Sequence, residues 1–248
     1  MKKKCILLLL FIAVIPKTIQ AAESKTSTVI FHGNRNEKKI ALTFDADMTA
    51  KMEKKLKSGQ VSSWYNKKVI DTLEKTNTKA TLFLTGMWIE IYKKETQELA
   101  QNPLFELGNH SYSHPSFNGR CYGLRIIKND NEKETEIEKT QTLLEEITHK
   151  KNKWFRFPGG CYSQNEVDIL THMGLTPIQW DVVSKDAFSH KVNTIINRVI
   201  QKSQNGSIVV MHMMGGPNAP ETENALPTII TELKKRGFEF VTLSELLH

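Results

Sequence analysis

Two hydrophobic periods alternate along most of this chain. Short apolar runs of strand length fall at 39–44, 79–84, 105–108, 154–156, 176–180, 207–212 and 238–242. Between them lie stretches of helical period at 64–76, 88–101, 130–148, 164–173, 191–204 and 221–236. Strands separated by helix-length crossovers predict an α/β fold with a mainly parallel sheet. Such sheets are covered on both faces and gather their chemistry at the carboxyl ends of the strands. The segments 115–129 and 213–222, rich in Gly and Pro, read as loops at those ends. In the stretch 130–148, Ile137, Leu143, Leu144 and Ile147 mark the apolar face, and the dense Glu and Lys positions read as a solvated face.

The first residues have a different character. Lys2, Lys3 and Lys4 precede an apolar run from Cys5 to Ile15, and a short polar stretch ends at Ala21-Ala22. That is the order of a secretory signal, which places a signal peptide at 1–21 and an N-terminal extension at 22–38. The apolar run is short for a bilayer span, so no stable membrane insertion is expected after cleavage. Residues 1–21 hold four lysines and no acid, so the formal charge falls from +7 to +3 on processing. That small excess argues against dedicated nucleic-acid binding and suits an exported protein, periplasmic or secreted, among anionic envelope polymers. The remaining chain, with its last domain at 39–248, has the length of one large barrel or doubly wound domain. Cys121 and Cys161 would then sit in an oxidising compartment, either bridged or as two buried thiols.

Candidate chemistry clusters at the strand ends. Asn109-His110-Ser111-Tyr112-Ser113-His114 sets two imidazoles at a spacing that shares one face of a helical turn and can grip one divalent cation. The strand Ile40-Ala41-Leu42-Thr43-Phe44 ends in Asp45-Ala46-Asp47, and buried carboxylates need a partner or a task. One of these acids with His110 and His114 makes a three-ligand site with positions left for water and substrate, and the other acid can serve as base. His212 ends another apolar strand and can act as a general acid. Arg156 can hold the base ionised, and Asp186 can orient His212.

These segments, in this order, resemble the polysaccharide deacetylases of the NodB-homology type, carbohydrate esterase family 4, from about Ile40 to Leu247. The family's Thr-Phe-Asp-Asp strand end is represented by Thr43-Phe44-Asp45-Ala46-Asp47. Its His-(Ser/Thr)-x-x-His motif is matched by His110-Ser111-Tyr112-Ser113-His114. Arg-Pro-Pro-(Tyr/Phe) corresponds to Arg156-Phe157-Pro158-Gly159, Asp-x-x-Asp-Trp to Val183-Ser184-Lys185-Asp186-Ala187, and Leu-x-His to Val210-Met211-His212. The resemblance implies a distorted (β/α)7-type barrel and metal-assisted removal of N-acetyl groups from an N-acetylated glycan, peptidoglycan foremost. It implies Asp45 as base, His212 as acid, Arg156 and Asp186 as their partners, and Asp47, His110 and His114 as ligands of a divalent metal. That metal is expected to be Zn2+, with other first-row divalent ions compatible. The Gly159 N–H is the implied oxyanion donor. An O-acetyl esterase and a decayed glycan-binding barrel are the other readings that the sequence carries.

The chain departs from the pattern in two ways. Ala46 stands where the family's second Asp falls, so Asp47 is expected to reach the metal from one residue further on, the alternatives being Asp45 as ligand or His110 and His114 with water. Gly159, Ala187 and Val210 replace larger side chains, so the acetyl pocket is expected to be wider, or refilled by Phe188 or Trp180. Trp64 is the tryptophan expected to meet glycan, while Trp88, Trp154 and Trp180 read as core. His32, His149, His172, His190 and His248 read as surface or structural residues.

Overall fold

The computed structural model describes residues 28–248; the expected signal peptide at 1–21, with Cys5, lies outside the described residues. Among the described residues the strands are β1 (Lys39–Ala46), β2 (Ala80–Leu84), β3 (Phe105–Asn109), β4 (Trp154–Phe155), β5 (Thr176–Pro177), β6 (Val182–Val183), β7 (Ile208–His212) and β8 (Glu239–Phe240). All pairings between them are parallel. Seven strands run in the order β5-β4-β3-β2-β1-β7-β6, and β8 joins the start of β1. The sheet curls into an open barrel of the expected (β/α)7 kind. The described part of the extension bridges its open side: Ile30 pairs with Ile178 beyond β5, and His32 pairs with Ser207 before β7. Arg35 fixes the strap by bonding Asp181 and the Asn205 carbonyl, both at 2.7 Å.

Why β1 carries the site follows from its pleat. Ile40, Leu42, Phe44 and Ala46 point into the cluster beneath the helices. Ala41 points the other way, into the cluster with Phe83, Ile178 and Ile208 inside the curl. Successive side chains alternate faces, so Asp45 and Asp47 share Ala41's side while Ala46 sinks into the helical layer. Full burial on both faces explains why β1 reads as a continuous apolar run rather than an alternating one.

Around the sheet lie α1 (Ala50–Lys57), α2 (Lys67–Lys75), α3 (Gly86–Ile91), α4 (Lys93–Gln101), α5 (Asp130–Thr148), α6 (Gln164–His172), α7 (Val192–Lys202), α8 (Thr222–Lys235) and α9 (Leu243–Leu246). The helix expected over 88–101 is two helices, broken at Tyr92, whose φ of −112° and ψ of 46° leave the helical region. Tyr92 packs on Trp88, and its hydroxyl accepts the Trp64 N–H at 2.7 Å. That tertiary contact overrides a continuous local pattern. α1 was not anticipated: it buries only Met52, so it shows little apolar stripe, and Thr49 caps it by accepting the Met52 N–H. β6 and α9 are too short to set a period.

Candidate active site

The site stands at the carboxyl ends of β1, β3, β4 and β7. Asp45 is level with His212 across the β1–β7 pair. Its Oδ1 accepts from Arg156 Nη1 at 2.7 Å, and its Oδ2 lies 3.7 Å from His110 Nε2. Arg156 is fully buried, and its guanidinium lies 4.1 Å from the Phe83 ring centre and 5.5 Å from that of Trp180. Burial lowers its pKa while Asp45 opposes that shift, and a guanidinium so placed stays charged at any working pH.

Asp47 Oδ1 lies 3.5 Å from His110 Nε2 and 3.3 Å from His114 Nε2. The Asp47, His110 and His114 ligand atoms all fall within 4.8 Å of one another, a group that could hold a metal ion. Two features test the fit. Atoms bound at about 2.0–2.2 Å to one tetrahedral cation stand about 3.3–3.6 Å apart, which the carboxylate–imidazole separations meet. Asp47 Oδ1 is also buried with no hydrogen-bond donor of its own. On the far side of its ring, His110 Nδ1 lies 2.8 Å from the Arg156 carbonyl. A carbonyl only accepts, so Nδ1 carries the proton and Nε2 offers its lone pair to the centre. The donor set and its outer partners fit a divalent cation.

The histidine pair is not on a helical turn, contrary to the spacing argument. β3 ends at Asn109, and the chain enters a loop in which Ser111 (φ 66°) and His114 (φ 57°) are left-handed. The two rings still meet, edge to face, with centres 4.9 Å apart.

His212 donates Nδ1–H to Asp186 Oδ1 at 2.8 Å, and its backbone N–H bonds Asp186 Oδ2 at 2.7 Å. Asp186 is fully buried and also accepts from Ser184 Oγ and Thr222 Oγ1. Burial lowers the His212 pKa, but Asp186, Asp47 and Asp45 outweigh it and push it up to about 10. Burial likewise raises the Asp186 carboxyl, and His212 pulls it below its usual value.

Gly159 has a φ of 62°, and a Cβ there would stand 2.7 Å from Cys121 Sγ. Cys121 is bonded to Cys161, with Cα atoms 6.1 Å apart, so the bridge is present rather than two separate thiols. The disulfide occupies the space that a side chain at 159 would need, which explains the missing aromatic. Phe188 refills no pocket, being 70% exposed. Trp64, expected to meet glycan, is fully buried and donates its indole N–H to the Met52 carbonyl. His32, His149, His172, His190 and His248 are exposed.

Sequence reasoning missed Thr222, Ser184 and Glu136. Nothing local marks Thr222 as a partner of Asp186. Glu136 did carry a signal: with Lys133, Ile137, Thr140 and Leu144 it lies on the buried side of α5, so part of the supposed solvated face is internal.

A curled parallel sheet with this cluster at its carboxyl edge defines an α/β barrel protein with a candidate metal centre beside an acid–base set. A family model for polysaccharide deacetylase matches residues 32–178. The chain belongs to the polysaccharide deacetylase family. It is 30% identical to a peptidoglycan-N-acetylglucosamine deacetylase of Bacillus cereus, over 86% of this chain and 70% of that one. It spans about half the length (53%) of another relative, YlxY of Bacillus subtilis, at 30% identity over 74% of this chain. The Bc1960 peptidoglycan N-acetylglucosamine deacetylase has a similar fold, with a TM-score of 0.75 and 29% identity over 88% of this chain and 92% of its own. So does BA3943 of Bacillus anthracis, a pseudoenzyme, with a TM-score of 0.72 and 28% identity over 89% of this chain and 69% of its own.

Proposed function

We propose that the protein is an exported, metal-dependent hydrolase that removes N-acetyl groups from an N-acetylhexosamine polymer, with peptidoglycan the leading substrate. The observation that carries this reading is the joint assembly of Asp45–Arg156, Asp186–His212 and the Asp47–His110–His114 triad within one strand-end cluster. Family membership supports the reaction class, and the basic–apolar order of residues 1–21 supports export. Asp47, His110 and His114 would hold the cation; Zn2+ suits two imidazoles and a carboxylate, a donor set that other first-row divalent ions share. When bound, the cation supplies Lewis-acid polarisation of the acetyl carbonyl and of the attacking water.

The side chains divide the remaining work. Asp45, held by Arg156 through Oδ1, takes a proton from the attacking water at Oδ2 as the new C–O bond forms. The Gly159 N–H would serve as donor to the developing oxyanion. His212 carries a proton at neutral pH and gives it to the departing nitrogen as the C–N bond breaks, leaving acetate and a free amine on the sugar.

Likeness to BA3943 gives weight to a second reading, a barrel that binds glycan without turning it over. The two ion pairs weigh against it, because binding has no use for a base and an acid each held by its own charged partner. Acetate release from N-acetylglucosamine oligomers and peptidoglycan, with chelator and with added Zn2+, decides between them; a parallel assay on O-acetylated sugars separates the esterase. Metal-dependent release is expected. No release from any N-acetylated glycan with metal supplied would overturn the deacetylase reading.

A further inference from the structure

Glu136 is a buried carboxylate that the proposed chemistry does not use. Its Oε2 accepts the Tyr112 N–H at 3.0 Å and the Ser113 N–H at 2.7 Å. Its Oε1 accepts the Ser113 hydroxyl at 2.6 Å and Arg125 Nη2 at 3.0 Å. Three of these four bonds go to Tyr112 and Ser113, two of the three residues between His110 and His114.

That loop has little reason of its own to hold its shape. It is neither helix nor strand, and Ser111 and His114 are both left-handed without being glycine. Such a conformation persists only where the surroundings over-determine it. Here the surroundings are specific. Asn109 Oδ1 accepts the Ser111 N–H at 2.9 Å. The first N–H groups of α3 reach the other way, from Gly86 to the Ser111 carbonyl (3.0 Å) and from Met87 to the Tyr112 carbonyl (2.9 Å). Glu136 takes the two N–H groups that neither of these can serve. A carboxylate accepting two backbone N–H groups is among the stronger such contacts, and a buried N–H left without an acceptor is costly.

We propose that Glu136 is a positioning residue of the metal centre: it clamps the 112–113 backbone so that His110 Nε2 and His114 Nε2 converge on Asp47. This rests on reading the triad as a metal site, and the clamp acts on the loop rather than on any ligand atom.

Lys133 provides the control. It lies on the same helix, is also buried, and pairs with Glu166 at 2.5 Å without touching the histidine loop. Zn2+ affinity is measured by chelator competition for the wild type, Glu136→Ala, Glu136→Gln and Lys133→Met. The absorption spectrum of each Co2+ form and the apo-protein melting temperature accompany it. Loss of a direct partner of a ligand weakens metal binding by about 10–100-fold; Glu136→Ala, which frees the loop between two ligands, is expected to lose about 10-fold, with an altered Co2+ spectrum. Glu136→Gln keeps one acceptor oxygen and should lose less. Lys133→Met should lower the melting temperature and leave Zn2+ affinity and the Co2+ spectrum as in the wild type. Wild-type affinity in Glu136→Ala, or an equal loss in Lys133→Met, overturns the proposal. If Glu136→Ala does not fold, Glu136→Gln against Lys133→Met decides in the same way. A wild type that takes up no divalent cation sinks the metal reading and the clamp together; one that binds Zn2+ but releases no acetate sinks only the deacetylase reading.

Discussion

Asp47 bears the sharpest electrostatic conflict in the site. Burial pushes its carboxyl up, and protonated His114 and His110 rings pull it well below the usual range when no cation is bound. With the rings neutral, a buried carboxylate oxygen 3.3–3.5 Å from two imidazole nitrogens and without a hydrogen bond of its own is poised for a cation. Asp47→Ala is therefore expected to lose stoichiometric Zn2+ uptake, read by elemental analysis, while the apo protein stays folded. Adding Ala46→Asp to that variant should not restore uptake, because position 46 points into the helical layer. It should instead destabilise the fold by at least about 1–3 kcal/mol, the cost of burying a polar group without partners; recovered metal with unchanged stability would refute the pleat argument. At His212 the folded pKa is raised, so its contribution to stability is complete below about 6.5 and is lost as pH climbs toward about 10. The alkaline limb of kcat should fall inside that window, since a bound cation's charge pulls the value down. Asp186→Asn should move the limb to lower pH, and a limb that stays in place would remove His212 as the acid.

At the scale of elements, α5 and its neighbours show how a helix serves a loop. Lys133 ties α5 to Glu166, whose side chain also accepts from Ser163 at the start of α6. Burial raises the Glu166 carboxyl, but Lys133 and Ser163 prevail and bring it down to about 2. That stabilisation is present above about pH 4.5 and is lost as pH falls toward 2; it amounts to something on the order of 3 kcal/mol. Denaturant unfolding of wild type and Glu166→Gln should differ at pH 7, differ less at pH 3, and converge only near or below pH 2. The disulfide closes a 40-residue loop between the segment after the histidines and the turn that carries Gly159. Replacing both cysteines with Ser should cost up to about 4 kcal/mol by loop-closure entropy, measured as a fall in unfolding free energy; an unchanged value would show that packing alone holds the loop. The elements differ in how readable they were. α5 and α8 announced themselves through long periodic patterns, whereas at the break Tyr92 is held by Trp64, which lies outside any local window.

The whole molecule ties these parts to one another through the curl of the sheet. Among the described residues no helix is long and apolar enough to cross a membrane. A cation bound by the residue just after β1 and by the loop after β3 joins segments more than sixty residues apart in sequence, so it should stabilise the fold as a whole. Zn2+ at about a hundredfold excess over its Kd should add about 2.7 kcal/mol, or about 5–11 °C in Tm for a chain of this size; chelator should remove the gain in wild type and have no effect in Asp47→Ala. By itself the sequence determined the α/β class and the order of most strands and helices, and it singled out the acids, imidazoles and arginine that the structure brings together, because periodicity and motif order are local properties. It left open which carboxylate faces the histidines, whether the cysteines meet, and what holds the histidine loop. Only the tertiary structure decided these. The pleat of β1 fixes the side of each acid, the approach of two loops brings Cys121 to Cys161, and the buried side of α5 delivers Glu136 to a turn that cannot hold itself. Each is a contact between distant segments, which spacing along the chain does not encode.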